Sequence, residues 1–249
     1  MKTMAPQKIA SVSALQRNRV WLTVLPLLAA SFTQAATLDI KLTDGSHNWE
    51  WTPTIIDTGN GGGRVDDITY SPSGVSMRCY NMTLDFDPFI SASVDVVNNT
   101  AGIQNYILTF SMPIAPTIPT SSLIGGSTQG GLTDANGDGI GTLSTVGGAA
   151  LYYGQLNGVN VLPLFSSPKT MIVPFAGGST NDSTSAGLPG PTIPAGSATS
   201  IGIQHQFSLT PGDRATFTSF FTAVNAIPEP GSLSLLAIGG LMFVCRRRR

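Results

Sequence analysis

Residues Ile201–Val224 read IGIQHQFSLTPGDRATFTSFFTAV. In the first half Ile201, Ile203, His205, Phe207 and Leu209 fall on one face of an extended chain, and Gln204, Gln206, Ser208 and Thr210 fall on the other. This period of two is that of a half-buried strand, because successive side chains of a strand point to opposite sides. Pro211-Gly212-Asp213 is turn chemistry, and the run RATFTSFFTAV follows it, so the stretch predicts a closing β-hairpin.

The same period recurs upstream. ISASVDVVNN sets Ala92, Val94 and Val96 against Ser91, Ser93 and Asp95, and NYILTFSM aligns Tyr106, Leu108, Phe110 and Met112. Shorter candidates are ATLDIKL, WEWTPTII, GVSMRCY, GAALYYGQL, VNVLPLF and TMIVPF. No 3.6-residue amphipathic stretch stands out between residues 37 and 226, and no internal repeat is evident. Many short strands broken by Gly, Pro, Ser and Thr predict an all-β body over residues 37–226, a single jelly-roll-like β-sandwich. PIAPTIPTSSLIGGSTQGG (113–131) and GGSTNDSTSAGLPGPTIPAGSATS (177–200) read as long loops.

Charge limits the partners. Of 249 residues only 11% are charged, and between residues 37 and 227 stand five basic side chains, Lys41, Arg64, Arg78, Lys169 and Arg214, against thirteen acidic ones, a net of −8. Phosphate contacts need clustered Lys and Arg, so a nucleic-acid partner is excluded. Of the two cysteines Cys245 lies in an apolar tail, leaving Cys79 alone in the body, where it reads as a small buried hydrophobe.

Several features could carry chemistry. DANGDGIG alternates Asp134, Asn136 and Asp138 ahead of Gly139, the front half of a calcium loop, although Thr145 stands where an EF-hand needs a bidentate Glu. The competing reading is a plain Asn-Gly-Asp-Gly turn. No motif calls for an organic cofactor; a structural calcium is the one ion suggested. HNWEW places Trp49 and Trp51 on one strand face, suited either to stacking on a sugar ring or to filling the core.

LDFDPF sets Asp85 and Asp87 about 7 Å apart along a strand, within reach of an inverting glycosidase spacing and equally ordinary for a solvated strand end. There is no Gly-x-Ser-x-Gly elbow, and a triad would have to recruit His47 or His205, the latter on an apolar face. GNGGGR lacks the frame of a phosphate loop and reads as a turn. Asn81, Asn98 and Asn181 begin glycosylation-acceptor triplets.

The two ends differ from the body. Residues 1–36 combine a basic leader, an apolar stretch of about 13 residues and small residues around Ala35, the pattern of a signal peptide read by the Sec translocon; the alternative is an uncleaved anchor. At the other end Ile227-Pro228-Glu229-Pro230-Gly231 precedes an apolar run and then Arg246, Arg247, Arg248 and Arg249. Ser232 to Cys245 would extend about 21 Å as a helix at 1.5 Å per residue, short of a hydrocarbon core of roughly 30 Å. Four arginines hold that end cytoplasmic and snorkel toward the headgroups, and the two prolines keep the backbone before the helix extended and accessible.

Residues 227–249 thus resemble the sorting signal of PEP-CTERM proteins, a segment also named "ice-binding protein C-terminal domain", a label that implies no ice binding. Ile227 where Val is frequent and Cys245 beside the arginines depart from the pattern. The resemblance implies export across the inner membrane of a Gram-negative-type bacterium and cleavage by an exosortase, a membrane transpeptidase. The cleaved protein would go to the cell surface or an exopolysaccharide matrix. Carried onto this chain, Pro228, Glu229 and Pro230 become recognition residues of a substrate. The expected function is therefore that of a non-enzymatic surface or matrix protein. A carbohydrate-binding module using Trp49 and Trp51 is the alternative, and a secreted polysaccharide hydrolase ranks behind both.

Overall fold

The computed structural model describes residues 37–59, 61–85, 88–119, 122–187 and 197–224. The signal segment, the sorting tail with the helix expected in it, and Asp87 lie outside the described residues. Sixteen strands form among those described: β1 (Asp39–Thr43), β2 (Asn48–Trp51), β3 (Ile56–Gly59), β4 (Gly62–Val65), β5 (Ile68–Tyr70), β6 (Val75–Asp85), β7 (Phe89–Asn98), β8 (Gln104–Ile118), β9 (Leu123–Thr133), β10 (Gly141–Ser144), β11 (Tyr152–Leu156), β12 (Val159–Leu164), β13 (Thr170–Val173), β14 (Ser179–Ala186), β15 (Ala198–Leu209) and β16 (Arg214–Val224). The body is all-β, as the period-two segments predict.

The strands make two antiparallel sheets. One runs β12-β11-β15-β8-β1-β2, with β10 beside β15 and β13 beside β10; the other runs β14-β9-β16-β7-β6-β4-β3, with β5 beside β6. Their inner faces meet. Tyr152 of the first sheet donates its hydroxyl to the carbonyl of Phe220 in the second at 2.8 Å, and the rings of Phe207 and Phe217, one from each sheet, lie 5.0 Å apart. Tyr106, Leu108, Phe110 and Met112 of β8 are buried, as are Ala92, Val94 and Val96 of β7. In both strands the alternation seen in sequence points the apolar set inward.

The closing hairpin is corrected. β15 pairs with β8 and β11, while β16 pairs with β7 and β9. The chain therefore crosses between sheets at Thr210–Asp213, and the two strands face each other across the core instead of sharing a ladder. His205 stacks on Phe217 at 4.3 Å, and its Nε2 lies 3.2 Å from Ser219 Oγ. Each strand has an apolar face, and closing those faces on one another buries more surface than laying them side by side. Turn chemistry at Pro211-Gly212-Asp213 serves either geometry, which is why the local sequence points to the wrong one.

Both predicted loops are also corrected. β8 runs on to Ile118 and β9 begins at Leu123, so most of 113–131 is strand, and β14 lies inside 177–200. Glycine in β9 signals close packing here. A Cβ added at Gly126 would stand 2.8 Å from the Tyr152 hydroxyl and 2.9 Å from the Phe220 carbonyl, and one at Gly130 would stand 3.1 Å from Met171. Only a residue without a side chain lets these larger groups approach the strand. In β6 a bulge at Asn81, with φ at 50°, shifts the inward set from Val75, Met77 and Cys79 to Met82 and Leu84.

Candidate functional site

The sequence-selected loop Asp134–Gly139 joins β9 to β10 at one end of the two sheets, beside the β15–β16 turn. Asp134 is buried, and its carboxylate is taken up by backbone. Oδ1 accepts the Gly137 amide at 2.8 Å, and Oδ2 accepts those of Gly139 at 2.8 Å and Gly177 at 3.1 Å. Burial alone would push this carboxyl up, but the converging amides outweigh it and hold the group below its ordinary value. Asp134 thereby ties its own loop to the β13–β14 connection. Its neighbours are exposed: Asn136 Oδ1 accepts the Asp138 amide at 3.0 Å, and Asp138 Oδ1 accepts the Ile140 amide at 2.8 Å. Gly137 and Gly139, with φ at 76° and 80°, supply the left-handed turns this path needs.

Opposite that loop lies a residue the sequence reading passed over. Asp213 is fully buried; its Oδ2 accepts the Thr210 hydroxyl, and its Oδ1 has no hydrogen-bond partner. Burial, and after it the charges of Asp134 and Asp138, push this carboxyl up, while the Thr210 hydroxyl and the nearby Ala135 amide pull it down. The Ala135 N–H acts on the carboxyl without closing an ordinary hydrogen bond to Oδ1. The only sequence cue is the PGD turn, which points to loop chemistry and says nothing of a buried carboxylate.

Trp49 and Trp51 sit on β2, the outer strand of their sheet. They pair with Leu42 and Ile40, both buried, so the indoles lie on the inward face where the two sheets part. Each is half-buried and has an aromatic partner: His47 stacks on Trp49 at 5.3 Å, and Tyr70 of the other sheet stacks on Trp51 at 4.1 Å. Both packing and residual exposure are thus present at one edge.

The other candidates separate. Asp85 ends β6 opposite Phe89. His205 is buried in a polar chain, with Ser219 Oγ at 3.2 Å from its Nε2 and Thr128 Oγ1 at 2.8 Å from that serine. Burial drives His205 down to about 3, so the ring is neutral. His47 lies at the β1–β2 turn, its Nδ1 3.2 Å from Asp44 Oδ2. Cys79 is buried and its thiol is pushed up to about 12, chiefly by burial and then by Asp95. Asn98 is also buried, its Nδ2 donating to the carbonyls of Gly102 at 2.8 Å and Leu209 at 3.0 Å, so this acceptor triplet is closed to modification in the folded chain. Asn81 and Asn181 are exposed.

Among the described residues no helix is long and apolar enough to cross a membrane. The C-terminal tail lies outside them, and its residues 226–249 match the PEP-CTERM protein-sorting motif. The match takes in Pro228, Glu229, Pro230 and Arg246 to Arg249, as the sequence predicts. The motif marks an exported protein with a membrane-associated precursor that is sorted through an exosortase to the cell surface. No curated protein matches the chain.

Proposed function

We propose that this chain is a non-enzymatic protein of the cell surface or exopolysaccharide matrix of a Gram-negative-type bacterium. Residues 1–36 direct export through the Sec translocon. Residues 37–226 form the delivered body, and residues 227–249 hold the precursor in the inner membrane until the exosortase cuts near Pro228-Glu229-Pro230. The sorting motif at residues 226–249 carries this reading. The body is in keeping with it: the strand order β7-β16-β9-β14 against β8-β15-β11-β12, with the chain crossing between the sheets at β7–β8, β8–β9, β9–β10, β13–β14, β14–β15 and β15–β16, supports the jelly-roll-like reading. Edge strand β14 (STNDSTSA) is uncharged apart from Asp182, which pairs with Lys169.

Fractionation of cells expressing the full chain tests the sorting step. Replacing Pro228, Glu229 and Pro230 with alanine is expected to leave uncleaved precursor in the inner membrane; unchanged surface delivery would refute it. Deleting the gene should alter matrix or surface composition, and a matrix identical to wild type would refute the structural role.

A second reading is favoured by the residual exposure of Trp49 and Trp51 at the sheet edge: the body binds carbohydrate there. Binding on a glycan array that is lost in both Trp49→Ala and Trp51→Ala would support it, and an array with no binding would end it.

A further inference from the structure

The loop Asp134–Gly139 and the turn Thr210–Asp213 meet as one polar cluster. Asn136 Nδ2 donates to Pro211 O at 2.9 Å and to Asp138 Oδ2 at 3.0 Å, bridging the two segments. A Cβ added at Gly212 would stand 2.6 Å from that nitrogen, so only glycine lets the turn press this closely on the loop. Three carboxylates gather here, those of Asp134, Asp138 and Asp213, and the charges of the first two both act on the third. None of the ion pairs among the described residues involves any of them.

Asp134 is already occupied by three backbone amides. Asp213 is not: it is fully buried, faces the loop, and keeps Oδ1 unpartnered. A buried carboxylate oxygen without a donor is costly unless a proton or a cation completes it. Among the described residues no three His, Cys, Asp or Glu side chains are arranged to hold a metal by themselves. Neutral oxygens must therefore share the work, which suits calcium, a hard ion that accepts six to eight carboxylate, amide, carbonyl and water oxygens.

We propose that calcium binds between the β9–β10 loop and the β15–β16 turn. Asp138 and Asp213 supply carboxylate oxygens and Pro211 its carbonyl; the Asn136 amide turns over, so that Oδ1 replaces the Nδ2 that now donates to Pro211 and Asp138, and water completes the shell. Asp134 holds the loop and does not ligate. Asp213 replaces it as the buried ligand, so the site joins two segments about 75 residues apart. Calcium there would fasten the crossover between the sheets to the loop before β10. The proposal does not depend on the sorting or matrix reading.

Calorimetry and thermal unfolding of the EDTA-treated full chain, titrated with calcium chloride alone and with magnesium chloride as control, test it. Expected is uptake of one calcium per chain, with a dissociation constant on the order of 10⁻⁴–10⁻³ M, as in extracellular modules. Calcium should raise the unfolding temperature, and magnesium should raise it less. Asp138→Asn should weaken binding at least about tenfold, the loss of one ligand charge, and Asp213→Asn should abolish it. Should Asp213→Asn fail to fold, the exposed Asp138 variant decides alone. No uptake up to about 10 mM calcium, or equal uptake by wild type and Asp138→Asn, overturns the proposal. So does Asp213→Asn being more stable while wild type ignores calcium, because the orphan oxygen would then be carrying a proton.

Discussion

Acid should weaken this body through His205 before it protonates ordinary carboxylates. The imidazole is buried between the sheets, stacked on Phe217 and set against Ser219, and burial lowers it from 6.5 to about 3. A group whose folded value lies below its unfolded one contributes stability fully above the unfolded value. That contribution drains away as the pH falls toward the folded value, because the unfolded chain takes up the proton first. Between pH 6.5 and 5 the loss approaches about 1.4 kcal/mol per pH unit, so roughly 2 kcal/mol should disappear across that window. Urea unfolding at pH 7.5, 6.5, 5.5 and 5.0 measures it directly. His205→Gln is the comparison: its amide can still reach Ser219, Thr128 continues to satisfy that serine at 2.8 Å, and no proton is taken up. The variant should be less stable at pH 7.5 and should show a flatter profile. Wild type and variant falling in parallel from pH 6.5 to 5.0 would refute the assignment of a neutral, buried imidazole.

Other consequences of the packing can be checked by the same assay. Gly154→Ala would place a Cβ 2.3 Å from Phe221 Cδ2; it should cost about 1–3 kcal/mol, and Phe221→Leu should recover part of that loss in the double variant. Asn98→Ala removes a buried side chain that donates to two carbonyls and accepts both the amide and the hydroxyl of Thr100; a drop of about 2–4 kcal/mol in unfolding free energy is expected from the partners left unsatisfied. The Cys79 thiol should resist a disulfide-exchange reagent at pH 8 in the folded chain and react on denaturation, read peptide by peptide in a mass spectrum so that Cys245 is counted apart. Arg78→Ala breaks an exposed pair with Asp67 at 2.7 Å and should change stability by less than about 1 kcal/mol.

Period-two alternation locates strands wherever apolar and polar residues take turns, and it succeeds in β7, β8 and β15 because each has one face in the core. It fails in β9, where LIGGSTQGGLT puts glycine at inward positions. The space those glycines leave is filled by Tyr152, Met171 and Phe217 from elsewhere in the chain. No local pattern records a neighbour that arrives from 26 to 87 residues away. The acidic loop shows the same limit: spacing alone selects Asp134, Asn136 and Asp138, while the amides that occupy Asp134 include Gly177, and the buried Asp213 comes from a turn far along the chain.

What the sequence determines by itself is the all-β class, the inward faces of the alternating strands and the sorting tail. Alternation is a property of consecutive residues, and a sorting tail is read as a linear segment. Which strands pair is decided by tertiary structure. IGIQHQFSLTPGDRATFTSFFTAV offers two amphipathic strands and a turn, compatible with a ladder or with a crossing between sheets. The crossing wins because the His205 and Phe207 rings pack on Phe217 only when the two strands lie in opposite sheets. That choice also carries Asp213 into the interior beside the Asp134 loop.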